Sequence, residues 1–375
     1  MRILIDLRPL IYECAPEPAA RWMIRLLTFV AREHARQEWW FVVDQHFRPR
    51  KFPALEGCRM LSLRSLPGRP GWACWYGWQL PRLIRKQQAD CLVSAGTGGR
   101  EGSLPAGIWI KGMGPNRSAK QKGSPAGRGW MKVPSLLKNA DELVVFPGSD
   151  LARFQAPGGS NWLPRVKRIS MAAGEGVRPL SWTEKEQVRI RYTGGREFFL
   201  VAGSGAEARL VPLLKSFSLF KKRLQSNMQL VLATGNPARD AAFSEQLERY
   251  KFRADVVIPG HLGEGEKNRL LGGAYALLYG PGQGDPGTWL LNAFCCQTPV
   301  ITDGAETLSE LGGDALLESD FSDAEATAGH LIALYKDEAL RSGLIRKGEA
   351  RVHPDAFTSS AGEVWHSIRE ALKIK

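Results

Sequence analysis

The sequence predicts an α/β protein of two successive units, each built on a parallel sheet. Three observations carry this. Short apolar runs typical of buried parallel strands alternate with amphipathic segments of helical period along most of the 375 residues. The alternation begins with RILID and restarts near residue 198 with FFLVAG. A chain of this length also suffices for two domains, each burying its own core.

The elements follow in order. Residues 3–6 form a first buried strand. Residues 21–32 (RWMIRLLTFVAR) place Trp22, Ile24, Leu26, Leu27 and Val30 at helical spacing. Residues 39–43 are a second strand, and residues 75–88 a helix interrupted by Pro81. Strands follow at 91–94, 108–110 and 143–146, in an arrangement that predicts a parallel sheet. A hinge is expected at 171–191, a polar stretch containing Gly and Pro. In the second unit, strands are read at 198–201, 228–233, 256–259, 276–279 and 299–302. Helices are read at 210–223, 243–253, 264–274 and just before residue 297, with a helical turn at 308–311 and a last helix at 361–372. The glycine-rich YGPGQGDPG at 279–287 lies between a strand and a helix start. Unpaired N–H groups and the helix dipole favour an anion at such a junction.

Composition narrows the partners. Lys and Arg number 51 against 38 Asp and Glu, a net charge of +13. That balance suits an anionic partner such as a nucleotide, a lipid headgroup or a polyanionic glycan; a solvated basic surface is the alternative. No nucleic-acid-binding signature accompanies the charge, so no nucleic acid is expected. The six cysteines form no C-x-x-C pair, which argues against a metal site and for a reducing compartment. The opening MRILIDLRPL reads as a strand and not a leader, and no run of about 18 apolar residues occurs. The expectation is a cytoplasmic protein, with peripheral attachment at the inner face of the cytoplasmic membrane left open.

Two surface features stand out. Lys111, Arg117, Lys120, Lys122, Arg128, Lys132 and Lys138 fall within residues 111–138 with no acid between them. Such a loop suits anionic headgroups, an acidic polysaccharide or a partner protein, or is simply solvated. Trp72, Trp75, Tyr76 and Trp78 stand beside Arg82, Arg85 and Lys86. That mixture suits a membrane interface or a sugar platform, and equally an amphipathic helix with a solvated basic end.

The most specific stretch is TPVITDGAETLSELGGDALL, residues 298–317. With MRILIDLRPL, the segment 168–203, LVPLLKSFSLFKKR and VVIPGHLGEGEKNRLLGGAYALLYG, all in order, it resembles the retaining glycosyltransferases of GT-B type, family 4 (glycosyl transferases group 1). The resemblance implies two Rossmann-like domains facing a cleft: 1–175 on the acceptor side, 176–355 on the nucleotide-sugar side, and 356–375 as a helix returning to the first. It implies sugar transfer from a UDP- or GDP-type donor to a glycan or lipid-linked acceptor in cell-envelope or exopolysaccharide synthesis, with no metal and no cofactor.

The same resemblance nominates residues. Aligned on Thr298-Pro299-Val300, Gly284 and Asn292 stand where the family carries two glutamates. Asn292 retains an amide for a ribose hydroxyl, and Asp285 lies one residue out of register or sits in a Gly-Asp-Pro-Gly turn. Gly203 and Gly205 precede the position of the diphosphate-binding lysine, here Ala208, leaving Arg209 as the cation at hand. Thr307 and Glu310 mark the helix start whose backbone would meet phosphates. In the first domain, Pro18-Ala-Ala-Arg21-Trp22 replaces a glycine-rich loop, and Lys111 replaces a histidine. Lys111 and Asp285 are then the candidate catalytic groups, and Arg21, Arg117, Lys120, Lys122 and Arg128 the acceptor or anion surface. Five family positions are altered: the glycine loop, the histidine, the lysine and both glutamates. Two readings stand: a transferase with an unusual donor site, or an inactive relative that binds a glycosyltransferase, a glycan or a membrane.

Overall fold

The computed structural model describes residues 1–12, 18–45, 53–64, 71, 74–96, 107–113, 140–145, 165–169, 171–174, 176–234, 241–260, 262–281, 287–303, 306–353 and 355–373. The chain divides into two compact units, Met1–Met171 with Asp355–Lys375, and Ala172–Pro354.

Unit 1 carries a seven-stranded sheet of β1 (Arg2–Asp6), β2 (Glu38–Asp44), β3 (Met60–Leu63), β4 (Cys91–Gly96), β5 (Gly107–Gly112), β6 (Glu142–Val145) and β7 (Arg165–Arg168), in the order β3-β2-β1-β4-β5-β6-β7. Central β1 lies parallel to both neighbours, with Ile3 opposite Trp39 and Cys91. The alternation predicts a parallel sheet, and the structure corrects this: β5 runs antiparallel to β4 and to β6. Only residues 97–106 separate β4 from β5, fewer than the dozen or so that a parallel crossover takes.

Short α1 (Arg8–Tyr12) precedes α2 (Pro18–Glu33), which begins at a proline, a residue suited to a helix's first turn. Met23, Ile24, Leu26, Leu27 and Val30 of α2 are buried. The predicted 75–88 helix is a π-helical turn, Trp75–Gln79, running into α3 (Leu80–Lys86). Pro81 supplies no N–H to the preceding turn, and a widened turn accommodates the loss.

Unit 2 carries a wholly parallel six-stranded sheet: β8 (Phe198–Ala202), β9 (Gln229–Leu232), β10 (Val256–Val257), β11 (Ala276–Tyr279), β12 (Val300–Thr302) and β13 (Leu316–Glu318), ordered β10-β9-β8-β11-β12-β13. Its helices are α4 (Trp182–Thr193), α5 (Ser204–Glu207), α6 (Leu210–Leu224), α7 (Ala241–Glu248), α8 (Glu264–Gly273), α9 (Thr288–Cys295), α10 (Glu306–Gly312), α11 (Ala324–Lys336) and α12 (Glu338–Glu349). Phe199 and Val201 of β8 pack with Phe217 and Phe220 of α6 in one core, and Phe198 and Leu200 with Leu270 and Leu290 in another. A strand buried on both faces has no polar alternation, hence the unbroken FFLVA.

Three expectations narrow. The units divide between Met171 and Ala172, at the start of the stretch proposed as a hinge, and the later part of that stretch is α4, held by a capping box in which the Ser181 hydroxyl accepts from Glu184 N–H and the Glu184 carboxylate accepts from Ser181 N–H. The 243–253 helix ends at Glu248, with a 3-10 turn at Arg253–Asp255. The 256–259 strand is confined to Val256–Val257, and Pro259 beyond it has no N–H to give a ladder. The last helix, α13 (Ala356–Leu372), belongs to unit 1. There Phe357 meets the edges of Trp22 and Phe29, and Glu363 and Glu370 pair with Lys167 and Arg165 of β7. No helix among the described residues is long and apolar enough to cross a membrane.

Candidate functional site

In unit 2 the strand order reverses about β8, with β9 on one side and β11 on the other. In open α/β sheets, ligands bind beyond the carboxyl ends of strands at such a reversal. Here that end is made of three glycines in close backbone contact. Gly203 adopts φ +95°, and a Cβ on it would lie 2.1 Å from the Gly280 carbonyl oxygen. A Cβ on Gly205 would lie 2.1 Å from the Pro281 oxygen, and one on Gly280 2.4 Å from Ala206 N. The loop after β8 therefore rests directly on the chain leaving β11.

That contact decides where the N–H groups go. Gly205 N and Ala206 N both donate to the Gly280 carbonyl, at 3.0 and 3.3 Å. The two amides that an anion would use at the start of α5 are thus already partnered within the protein.

Arg209 immediately precedes α6. Its Nε lies 3.8 Å from Asp303 Oδ2, with the side chain 46% exposed. Asp303 continues from β12: its N–H donates to Tyr279 O, and its Oδ1 accepts from Phe321 N. Asp320 is held below the usual carboxylate range, chiefly by the Ser322 N–H and in smaller part by the Arg209 charge. A long, half-exposed ion pair is weak, so Arg209 is a cation that a stronger anion can recruit.

Asn292 lies on α9, where its Oδ1 accepts from Gly174 N at 2.8 Å and its Nδ2 donates to Asn268 Oδ1 at 3.3 Å. Glu310 is exposed on α10. Gly284 and Asp285 lie outside the described residues, as do the side chain of Thr307 and all of Arg117, Lys120, Lys122 and Arg128. Arg21 on α2 and Lys111 on β5 belong to unit 1, each half-buried, with Lys111 opposite Leu92 of β4. The structure thus brings Gly203, Gly205 and Arg209 together at the β8 end of unit 2.

One cluster escaped the reading of the sequence. At the carboxyl ends of β1 and β4, Asp6 is fully buried. Its Oδ2 accepts from the Tyr76 hydroxyl at 2.7 Å and from Ser94 Oγ at 3.1 Å, and its Oδ1 from Arg8 N at 3.2 Å. Arg8 is also buried, with Nη1 donating to Gly71 O and its guanidinium 4.8 Å from the Trp75 ring centroid. Burial pushes the Asp6 carboxyl above its ordinary value, against those hydrogen bonds and the Arg8 charge. The only local signal was a lone acid and base closing an apolar strand.

Residues 183–351, the greater part of unit 2, match the family model described as Glycosyl transferases group 1. No curated protein matches the chain. Among solved structures, WaaG, described as a glycosyltransferase involved in lipopolysaccharide biosynthesis, aligns with TM-score 0.66 at 15% identity, over 98% of this chain and 99% of its own. Anabaena Alr3699/HepE, solved in complex with UDP and glucose, aligns with TM-score 0.66 at 12% identity, over 98% and 99%. A glycosyltransferase from Rickettsia africae ESF-5 aligns with TM-score 0.67 at 11% identity, over 100% and 99%. The fold is GT-B, and the family match lies within unit 2.

Proposed function

We propose that the chain transfers a sugar from a UDP- or GDP-type donor to a glycan or lipid-linked acceptor in cell-envelope or exopolysaccharide synthesis, through an altered donor site of the retaining, family 4 kind. The observation that carries this is Arg209, a half-exposed cation beside the β8 end in a domain that matches the group 1 model. A departing nucleoside diphosphate gathers negative charge, and a cation fixed near it stabilises that charge. Arg209 takes this role where Ala208 stands at the family's lysine position. Thr307 and Glu310, at the start of α10, are the groups proposed for the phosphates, while Lys111 and Asp285 remain the candidate catalytic groups. UDP and glucose in the Alr3699/HepE structure, and the lipopolysaccharide role in the WaaG description, support the substrate class.

A second reading has its own observation. Gly205 and Ala206 donate their N–H groups to Gly280, and Asn292 has its amide on Gly174 and Asn268. With those groups engaged, an inactive relative that binds a glycosyltransferase, a glycan or a cytoplasmic membrane face, through the 111–138 segment, is the alternative.

Calorimetric titration with UDP, GDP and ADP, with and without their sugar conjugates, separates the two. The first reading expects micromolar affinity for one nucleotide, lost on Arg209→Ala. No heat at millimolar ligand removes it in favour of the second.

A further inference from the structure

The helical segment over residues 75–86 presents two unlike faces. Trp75, Tyr76, Leu80, Leu83 and Ile84 are buried against Leu92, Trp109 and Leu143, so its rotation is fixed by the unit 1 core. The opposite face carries Trp78, Arg82, Arg85 and Lys86, at spacings of four, seven and eight residues that place them on one side of a helix. Trp78 is 58% exposed, and the Arg82 guanidinium lies 5.6 Å from its ring centroid. Arg82, Arg85 and Lys86 are exposed, and none has an ion-pair partner among the described residues. Gln79 Nε2 donates to Arg64 O, bringing the end of β3, with exposed Arg64, against the same segment. The next acid along the chain, Asp90, accepts from Arg2 N.

We infer that this face docks on an anionic lipid bilayer. Tryptophan favours the headgroup level of a membrane, where its ring is half apolar and its N–H finds partners. Arginine and lysine beside it gain from the negative surface, each raising partitioning about fivefold. Among the described residues of 75–86, Trp78 is the one exposed large hydrophobic, so the contact is shallow, reversible and salt-sensitive. The face uses none of the residues of the 111–138 segment and does not depend on donor chemistry. It keeps an enzyme or an inactive relative equally well at a membrane.

The test is flotation of the full chain with vesicles of phosphatidylcholine alone and of equimolar phosphatidylcholine and phosphatidylglycerol, at low and high salt. The wild type is expected to float with the anionic vesicles only, and to be released by salt. The triple variant Arg82→Glu, Arg85→Glu, Lys86→Glu should lose at least about tenfold in partitioning. Trp78→Ala should lose severalfold with an unchanged salt slope. All substituted residues are exposed, so matching thermal melts verify the fold. The inference is overturned if the wild type does not prefer anionic vesicles, or if the triple variant floats like wild type. It is also overturned if only reversal at Lys120, Lys122 and Arg128 abolishes flotation, or if the face binds an acidic polysaccharide and no vesicle.

Discussion

Asn292 Oδ1 accepts a hydrogen bond from the Gly174 backbone N–H at 2.8 Å. An N–H meets oxygen and not an amide nitrogen, so this bond fixes the orientation of the side chain and turns Nδ2 toward Asn268. One residue thereby ties α9 to α8 and to the chain that opens unit 2. Asn292→Ala leaves the Gly174 N–H and the Asn268 amide short of partners and should cost about 1–3 kcal/mol. Asn292→Asp keeps the acceptor and should cost less. Urea unfolding of both variants checks this. If the alanine variant melts like wild type but binds nucleotide more weakly, the amide serves a ligand and not the fold.

What the sequence disclosed follows from what each element faces. FFLVA and ALLY are buried on both faces of a parallel sheet, and unbroken apolar runs are how such strands appear. RVKR gives no such signal because β7 is an edge strand, and charge is how an edge is kept from pairing further. In α4 only Val188 and Thr193 are buried, so no apolar stripe marks it, and the stretch reads as a hinge. The same divide holds at the site. The glycine loop at 203–205 was readable, but its amides' partner, Gly280, arrives from a distant segment. Asp6 was visible as one acid ending a strand, whereas Tyr76 and Ser94 reach it only through the fold.

Gly205→Ala tests the close approach. Its Cβ would sit 2.1 Å from the Pro281 carbonyl oxygen, a backbone atom that cannot swing aside. The loops after β8 and β11 must part, breaking the two bonds to Gly280. A loss of about 2–4 kcal/mol is expected, combining strain with unpaired amides. A denaturant midpoint equal to wild type would show that the loops separate freely.

Asp6 makes stability depend on pH in a direction opposite to most carboxylates. Its folded-state pKa is raised by burial above the unfolded value. The folded state therefore holds the proton more tightly, and stability falls as pH rises from the ordinary carboxylate value through the raised one. Other groups titrate over the same range, so the quantity to follow is the difference between wild type and Asp6→Asn. Denaturant melts of both from about pH 4 to pH 7 should show wild type losing ground to the variant as pH rises. Tyr76→Phe, which removes a hydrogen bond to the carboxylate, should extend that loss to higher pH. A difference that does not vary with pH would mean that Asp6 keeps one protonation state throughout.

Arg209 and Asp303 separate binding from folding. At 3.8 Å, with the arginine 46% exposed and the acid 27%, the pair lies in high dielectric. Arg209→Ala should then change stability by no more than about 0.5 kcal/mol. If Arg209 meets a diphosphate, the same change should weaken nucleoside diphosphate binding at least about tenfold, since a charge-assisted contact to phosphate is worth more than an exposed ion pair. Asp303→Asn can still accept from Phe321 N but no longer competes as an anion, so it should strengthen nucleotide binding a few-fold. Calorimetry on the two variants reads both effects, and unfolding curves control for structure. An Arg209→Ala chain that binds nucleotide as wild type does places the diphosphate elsewhere, whereas opposite shifts in the two variants are the outcome expected when ligand and Asp303 share one guanidinium; in the double variant the gain from Asp303→Asn should then largely vanish.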